Sequence, residues 1–411
     1  MRKSKLWKKL LGVEYLVLED GDIEAGPGGR EVLVFRVRPD HEHRDRCSRC
    51  GRRCRFRDGG EGRRRWRALD LGTMACYLEA GAPRVTCPVH GVVVAAVPWA
   101  RPGSRFTSAF EDQAAWLCAG MTGTKAAELL RTTWRSVQAI VQRVVADLAG
   151  KTDRLAGLSR VGIDEISYRK GQRFLMIVVD HDTGRLAWAA EGRSQATVRA
   201  FFDALGAERA ALLAEVSADG AEWIHDVIRE RAPQARICLD SYHAVAWANK
   251  ALEKVRRRLA AELRATGTAE LKDTRWAVIK NPGDLTSGQK TTIAALARLN
   301  SPLYRGYLMK EQLREIFQAG PGRGHALLAG LTGWCARCRI PEFARLGATL
   351  RRFRDLIWNT LETGTTNARV EATNTHLRAL TKRAYGFHSP GALIAMATLT
   401  RGGLCPPLPG R

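Results

Sequence analysis

The chain has 411 residues and carries 66 lysines and arginines against 42 acidic residues, a formal net charge of +24. Its hydrophobic share of 45% excludes a disordered basic tail and indicates a globular protein of several modules. The excess of positive charge favours an anionic partner, of which nucleic acid is the usual one. An overcharged surface on an unrelated enzyme is the alternative explanation.

The composition also bears on the cellular compartment. Glu14 interrupts the apolar run near the amino terminus and no small-residue cleavage site follows, so we expect no signal peptide. No stretch reaches the roughly 18 uncharged apolar residues that a membrane-spanning helix needs. Ten cysteines, several of them in closely spaced pairs, fit a reducing cytoplasm and a metal site better than disulfides.

A metal-binding module is predicted within residues 1–103, after a strand at 32–37. Cys47 and Cys50 form one ligand pair and Cys87 and His90 another, each with two residues between. This spacing lets both side chains of a tight turn reach one tetrahedral Zn²⁺. Cys54 is an alternative ligand, and cysteines scattered through a core are the alternative to a metal site. Eleven arginines within residues 41–67 indicate that the module lies on phosphates.

Another closely spaced pair, Cys335 and Cys338, lies in a helical pattern with no partner pair nearby. Two cysteines on a helix face are more typical of packing residues than of metal ligands. We therefore predict no metal site there.

A helix-turn-helix is predicted within residues 104–150. Residues 123–130 and 131–138 have the lengths of two helices around a tight turn, and Thr132 or Thr133 is a candidate cap for the second helix. Arg135, Ser136 and Gln138 would lie at the exposed start of that helix, where they suit base edges and phosphates of the major groove. An ordinary helical hairpin is the alternative.

The order of patterns after residue 158 predicts an α/β domain. Strands are expected at 160–167, 173–180, 186–191, 213–217 and 235–240, with helices at about 195–205 and 221–231. A meander of three strands followed by two crossover strands gives a mixed sheet flanked by helices, the layout of an RNase H-like domain. We expect this domain to span residues 158–401, with an all-helical insertion at about 244–347 and a flexible tail at 402–411.

Two aspartates and one glutamate stand out within this domain. Asp164 lies in the first strand and Asp219 follows the fourth, and the fourth strand is expected to pair beside the first. A late helix packed on the sheet would bring Glu371 to the same place. Two Mg²⁺ ions held by three such carboxylates could clamp the attacking and leaving oxygens at a phosphodiester. Asp180 and Glu165 are rival acids, expected respectively in a turn and on the opposite strand face.

Four short motifs carry a resemblance to a known family: Gly-Ile-Asp-Glu at 162–165, Asp-Ser-Tyr-His at 240–243, Glu-Ala-Thr-Asn at 371–374 and Lys-Arg-Ala-Tyr-Gly-Phe at 382–387. In this order they resemble the DDE transposases of bacterial insertion sequences, and among these the ISL3 family. The likeness covers nearly the whole chain, including the Cys/His module, the helix-turn-helix and the helical insertion.

The resemblance implies an enzyme that nicks the ends of its own element and joins the freed 3′ hydroxyl to target DNA. Asp164, Asp219 and Glu371 would be the triad that binds Mg²⁺ or Mn²⁺, and Zn²⁺ would be structural. The partners would be the element's terminal inverted repeats, target DNA and further copies of the chain, in a cytoplasmic, nucleoid-associated protein.

Other residues receive less defined roles from the resemblance. His243 would contact the scissile phosphate or brace the site. Asp240 is the second choice for the middle triad position, and a helix cap with a packed histidine is the simpler explanation of this pair. Arg378, Lys382 and Arg383 continue near the face of Glu371 and Asn374, where they would hold a DNA backbone or form a solvated basic face.

Two other kinds of protein remain open at this point. A DNA-binding regulator could keep the zinc module and the helix-turn-helix on an inactive core. A structure-specific nuclease with an RNase H-like fold would hydrolyse DNA without joining it. The presence of all three acids argues against the regulator.

Overall fold

A computed structural model describes residues 3–169, 171, 173–265, 271, 274–299 and 301–410. The chain divides into two compact units, one comprising the residues up to Arg154 together with those from Leu380 onward, and the other Leu155–Ala379. Among the described residues, no helix is both long and apolar enough to cross a membrane.

Two small sheets form the amino-terminal part of the first unit. One has four strands in the order β1-β2-β5-β4, and the other has three antiparallel strands in the order β3-β6-β7. The strand predicted at 32–37 is confirmed as β2, whose alternating apolar side chains pack against Trp66 and Leu78. The elements are α1 (Lys3–Leu11), β1 (Leu16–Ala25), β2 (Glu31–Pro39), β3 (Arg55–Asp58), β4 (Arg63–Arg67), β5 (Ala75–Gly81), β6 (Arg84–Cys87) and β7 (Gly91–Val94).

Three helices follow in the same unit: α2 (Ser108–Gly120), α3 (Gly123–Leu129) and α4 (Trp134–Ala149). Threonine caps begin all three, since the side chains of Thr107, Thr122 and Thr133 each accept a hydrogen bond from a backbone amide of the first turn. Of the two caps considered for α4, the structure selects Thr133. Small and branched apolar residues of α3 and α4 form one core with α2.

The second unit is built on a five-stranded mixed sheet in the order β10-β9-β8-β11-β12. β8, β9 and β10 are antiparallel, whereas β8, β11 and β12 are parallel. The predicted meander and the pairing of the fourth strand beside the first are confirmed. The elements are β8 (Arg160–Arg169), β9 (Arg173–Asp180), β10 (Leu186–Glu191), α5 (Gln195–Leu205), α6 (Ala207–Ala210), β11 (Glu215–Ala218), α7 (Glu222–Arg231) and β12 (Arg236–Leu239).

A long helical segment follows β12, as predicted, and its described residues continue as helices to Thr363. Leucines and aromatic residues of these helices form a core of their own. Cys335 and Cys338 are buried in that core, which confirms them as packing residues. The helices are α8 (Ser241–Ala265), α9 (Thr274–Ile279), α10 (Ser287–Arg298), α11 (Pro302–Gln318), α12 (Pro321–Arg337), α13 (Pro341–Arg352) and α14 (Arg354–Thr363).

The last two helices are α15 (Ala368–Arg383), within which the division between the units falls, and α16 (Pro390–Arg401). α16 packs on α2 and α4 of the first unit through Ala395 and Leu399, although we expected the α/β domain to extend to residue 401. Leu404 is buried in the same core, which differs from the flexible tail expected from residue 402. Because Leu404 is buried in this core, the first residues after α16 are packed against the helices of the first unit.

Candidate active site and zinc site

The four predicted zinc ligands come together in the first unit. Cys47 and Cys50 lie in a turn before β3, Cys87 ends β6, and His90 lies in the turn before β7. Their ligand atoms all lie within 4.8 Å of one another. Cys54 is outside this group, and its thiol donates to the Arg52 carbonyl at 3.3 Å. Two turns of one small sheet therefore supply the complete set of four ligands.

The distances within this set fit a tetrahedral zinc ion. Bonds of about 2.3 Å to sulfur and 2.0–2.1 Å to nitrogen predict ligand separations of about 3.8 Å between sulfurs and about 3.5 Å between sulfur and nitrogen. Cys50 Sγ lies 3.7 Å from Cys87 Sγ, and His90 Nδ1 lies 3.6 Å from the sulfurs of Cys47 and Cys87. These residues support a structural zinc site.

Of the three residues predicted at the exposed start of α4, one is exposed and two are half-buried. Arg135 is exposed and its guanidinium lies over the ring of Trp134, 5.6 Å from the centroid. Ser136 and Gln138 are half-buried, and the Ser136 hydroxyl lies 3.0 Å from the cap oxygen of Thr133. Arg135 is therefore the most accessible of the three for DNA, while Ser136 also takes part in the helix cap.

The sheet of the second unit aligns three aspartates. β11 pairs with β8 so that Ser217 lies opposite Gly162, and with β12 so that Ala218 lies opposite Leu239. If the register with β8 is extended by two residues, Asp219 lies beside Asp164. If the register with β12 is extended by one residue, Asp219 lies beside Asp240. The register thus sets Asp164, within β8, and Asp219 and Asp240, directly after β11 and β12, side by side along the sheet.

A close approach of α15 to β8 brings the helical residues to these aspartates. A Cβ atom at Gly162 would lie 2.4 Å from Val370 Cγ2 and 2.9 Å from His181 Nε2, so only glycine permits this packing. Asn374 Nδ2 donates to Asp164 Oδ2 at 2.6 Å. Glu371 lies one turn before Asn374, on the same face of α15.

A buried chain of hydrogen bonds fixes the start of α15. His181 Nε2 lies 2.7 Å from Ser217 Oγ, which in turn donates to Asn367 Oδ1 at 2.7 Å. The Arg369 guanidinium donates to the His181 carbonyl. The partners are 36 and 150 residues apart in the chain, so no local pattern in the sequence predicted this contact.

The acids of the site influence one another. Burial raises the pKa of Asp164, and the charge of Asp219 adds to the shift, while hydrogen bonds from the Glu165 amide and Asn374 oppose it. Burial also raises the pKa of Glu371, with a further contribution from the charge of Asp240. Carboxylates that range from the buried Asp240 to the exposed Glu371 therefore influence one another, an arrangement that a bound cation would stabilise.

Asp240 and His243 form a hydrogen-bonded pair at the start of α8. Asp240 is buried, and its Oδ1 accepts from the Tyr242 amide at 2.9 Å, so it also caps the helix. Its Oδ2 lies 3.0 Å from His243 Nδ1. This hydrogen bond raises the pKa of His243, against the effect of burial, and the charges of Asp219 and Asp164 add to the rise. The pair is thus both a cap and a part of the acidic site.

The two rival acids have other partners. Asp180 accepts hydrogen bonds from the Asp182 amide at 2.9 Å and the Thr183 hydroxyl at 2.6 Å, which confirms it as a turn residue. Glu165 forms an ion pair with Arg193 at 2.6 Å. Burial raises the pKa of Glu165, and the charges of Asp219 and Asp164 contribute to the rise, so this acid lies within their electrostatic reach.

The basic residues of α15 differ in their surroundings. Arg378 and Lys382 are exposed. Arg383 is half-buried, and its guanidinium donates to the Cys118 carbonyl at 3.1 Å and reaches the Ala119 carbonyl at 3.5 Å. These carbonyls belong to the last turn of α2, so Arg383 caps a helix, and the expectation that it holds a DNA backbone loses its main support.

Three family models match separate parts of the chain. A model of the ISL3 DDE group, described as a transposase, matches residues 161–397, more than half of the chain. The helix-turn-helix domain of transposase family ISL3 matches residues 95–145. The zinc finger of transposases IS204/IS1001/IS1096/IS1165 matches residues 43–90. The order of these matches follows the order of modules described above.

Proteins of similar sequence are also transposases of insertion sequence elements. The transposase for insertion sequence element IS1557 of Mycobacterium tuberculosis is 47% identical over 438 aligned positions, which cover 100% of this chain and 98% of that protein. The transposase for insertion sequence element IS1001 of Bordetella parapertussis is 24% identical over 83% of this chain and 85% of its own length. The chain therefore belongs to the ISL3 family of DDE transposases.

Proposed function

We propose that Asp164, Asp219 and Glu371 form the metal-binding triad of this transposase, within an RNase H-like sheet. The observation that carries the proposal is the strand register that sets Asp219 beside Asp164, together with the approach of α15 over Gly162. The order of three antiparallel strands followed by two parallel ones supports the RNase H-like assignment.

The residues present fit hard divalent cations. The three acids offer only oxygen ligands, which Mg²⁺ and Mn²⁺ prefer. Two buried oxygens near Asp164, Glu165 Oε2 and Asn374 Oδ1, have no hydrogen-bond partner among the described residues, and metal-bound water would satisfy them. Unlike the zinc ligands, the acids of the described residues do not form a set gathered within 4.8 Å. When bound, two such ions activate the attacking hydroxyl and offset charge on phosphorus.

The surrounding residues have positioning roles in this proposal. The Asn374 amide donates to Asp164 Oδ2 and the Glu165 backbone amide donates to Asp164 Oδ1 at 2.7 Å, so both oxygens of this carboxylate are held in place. Each oxygen keeps a second lone pair for a ligand. Asp240 orients the His243 ring and raises the pKa of that side chain, which favours an imidazolium that can donate a hydrogen bond to a phosphate oxygen. The exposed Glu371 can change rotamer on the face of α15 when DNA and metal bind.

The substrates we propose are the terminal inverted repeats of the transposase's own element and a target DNA. Arg135, with Ser136 and Gln138, would contact the repeat, and Arg378 and Lys382 would contact the backbone near the acids. Joining two element ends requires that both be held together, so we propose at least a dimer on DNA. The location that follows is the cytoplasm, at the nucleoid.

The test compares the two candidates for the middle triad position. We expect Asp219→Asn to abolish both nicking of element ends and joining of pre-cleaved ends, with end binding unchanged. Asp240→Asn should lower the rate without abolishing either reaction, since that residue acts through His243. Asp226→Asn is the control, because Asp226 is an exposed acid of α7 paired with Arg229.

Two results would contradict the proposal. If Asp240→Asn abolished both reactions while Asp219→Asn did not, the middle position would belong to Asp240. If the protein hydrolysed pre-cleaved ends and never joined them, it would act as a nuclease.

A further inference from the structure

A cleft lies between α8 and α13 in the second unit, outside the acidic site. Its volume is about 300 Å³. Gly220, the residue directly after Asp219, forms part of its wall. The cleft is therefore adjacent in the chain to the proposed metal-binding residues, although none of the roles proposed above involves it.

Four cationic side chains line this cleft: Lys250 and Lys254 of α8, and Arg345 and Arg352 of α13. Lys250, Lys254 and Arg345 are exposed, and among the described residues no acid forms an ion pair with them within 4.0 Å. Arg345 donates to the Pro341 carbonyl at 3.3 Å and lies within electrostatic reach of Glu342. Arg352 has one weak acidic neighbour, at 3.4 Å from Glu222. Unpaired cations that converge on one concave surface are suited to bind a polyanion.

The acids near the cleft are already neutralised by other arginines. Glu342 also lines the cleft, but it accepts from Arg258 at 2.9 and 3.2 Å. Glu253 is paired with Arg256 and Arg257 at 2.8 and 3.0 Å. Of the basic run at 254–258, Lys254 thus keeps a charge available for a ligand, whereas the arginines of that run serve internal ion pairs.

The wall of the cleft includes an aromatic surface. The rings of Trp247 and Phe353 lie 5.2 Å apart between centroids at 36°. A Cβ atom at Gly220 would lie 2.2 Å from Trp247, so the tryptophan packs directly against the loop that carries Asp219. Phe353 is buried, whereas Trp247 is half-buried and retains surface toward the cleft. Aromatic rings beside cations are the usual elements of sites for unpaired nucleotides.

We propose that this cleft binds the DNA strand next to the scissile phosphate, with its phosphates on Lys250, Lys254 and Arg345 and one nucleotide against Trp247. The inference rests on the proposed function, since it takes the acids beside Gly220 as the place of cleavage. The cleft would anchor the strand on one side of the metal site, and the proposed backbone contacts of Arg378 and Lys382 would anchor it on the other. Together they would hold the scissile phosphate in line for attack.

The test measures DNA binding in EDTA, so that its result does not depend on cleavage. The probe is a duplex with one element end and flanking DNA, and its affinity for the full chain is measured at several salt concentrations. Each lost phosphate contact should lower the slope of log K against log salt by about 0.9. We expect a lower slope for Lys250→Gln/Lys254→Gln and no change for Lys290→Gln, an exposed lysine of α10.

A second measurement detects the nucleotide itself. 2-Aminopurine is placed at each position around the scissile phosphate, and its fluorescence should change on binding at one position with the unchanged chain but not with Trp247→Leu. Equal salt slopes for the double variant and the unchanged chain would overturn the proposal. If the double variant fails to fold in a thermal melt, Arg345→Gln, at an exposed position, replaces it and carries the same expectation. If the unchanged chain showed no metal-dependent cleavage while the salt slopes differed as expected, only the proposed function would be contradicted.

Discussion

Replacing Gly162 with alanine should separate the two halves of the proposed active site. The added methyl group would lie 2.4 Å from Val370 Cγ2, whereas ordinary contacts begin at 3.4 Å. Because Val370 is fully buried, we expect the clash to be relieved by moving β8 and α15 apart by about 1 Å. Glu371 directly follows Val370, and Asn374 holds Asp164 from the next turn. A displacement of about 1 Å in a catalytic arrangement lowers the rate by about 10²-fold. Overpacking of this kind also costs about 1–3 kcal/mol of stability.

The assay is single-turnover nicking of a labelled element end, with end binding and thermal unfolding measured in parallel. We expect end binding to be unchanged, because the helix-turn-helix belongs to the other unit. Gly288→Ala is the control, since a Cβ atom there meets nothing within 4 Å. Adding Val370→Ala to Gly162→Ala should recover part of the rate. A nicking rate for Gly162→Ala equal to that of the unchanged chain would show that the close contact of β8 with α15 does not position the acids.

Three further predictions concern the first unit and the basic face of α15. Removal of zinc by a chelator, or Cys87→Ser, should unfold residues 43–90 and increase their proteolysis, and unchanged proteolysis would argue against a structural ion. Thr133→Ala should lower stability by about 0.5–2 kcal/mol in thermal unfolding, because it removes the cap of α4. Arg383→Gln should lower the melting temperature by removing the cap of α2, whereas Arg378→Gln and Lys382→Gln should weaken DNA binding at an unchanged melting temperature. The reverse pattern would return Arg383 to the DNA interface.

The strands of the second unit could be predicted closely from the sequence. Their apolar runs are bounded by clear turn residues, and the predicted bounds of β9 and β10 agree with the structure. β11 begins at Glu215 instead of residue 213, because Leu213 is buried and its amide donates to the Ala210 carbonyl, while the amide of the exposed Ala214 donates to the Ser159 carbonyl outside the ladder. The zinc ligands were also predictable, since their spacing within two turns carries the geometry of the ion.

What could not be predicted depends on contacts between distant parts of the chain. The hydrogen bond between Asn374 and Asp164 joins residues 210 positions apart, and its counterpart between Ser217 and Asn367 spans 150. The pattern of a helix predicts that one face is buried but does not identify what covers it. For this reason the packing of α16 on α2 and α4, and the use of Arg383 as a helix cap, appear only in the structure.

We propose above that carboxylates on β8, after β11 and on α15 perform metal-dependent DNA cleavage. The most direct test is cleavage of a labelled element end by Asp164→Asn in the presence of Mg²⁺, with binding of the same end measured by mobility shift. We expect cleavage and joining both to be lost, as for the unchanged chain in EDTA, while end binding remains. A variant that still cleaves or joins DNA would contradict the triad.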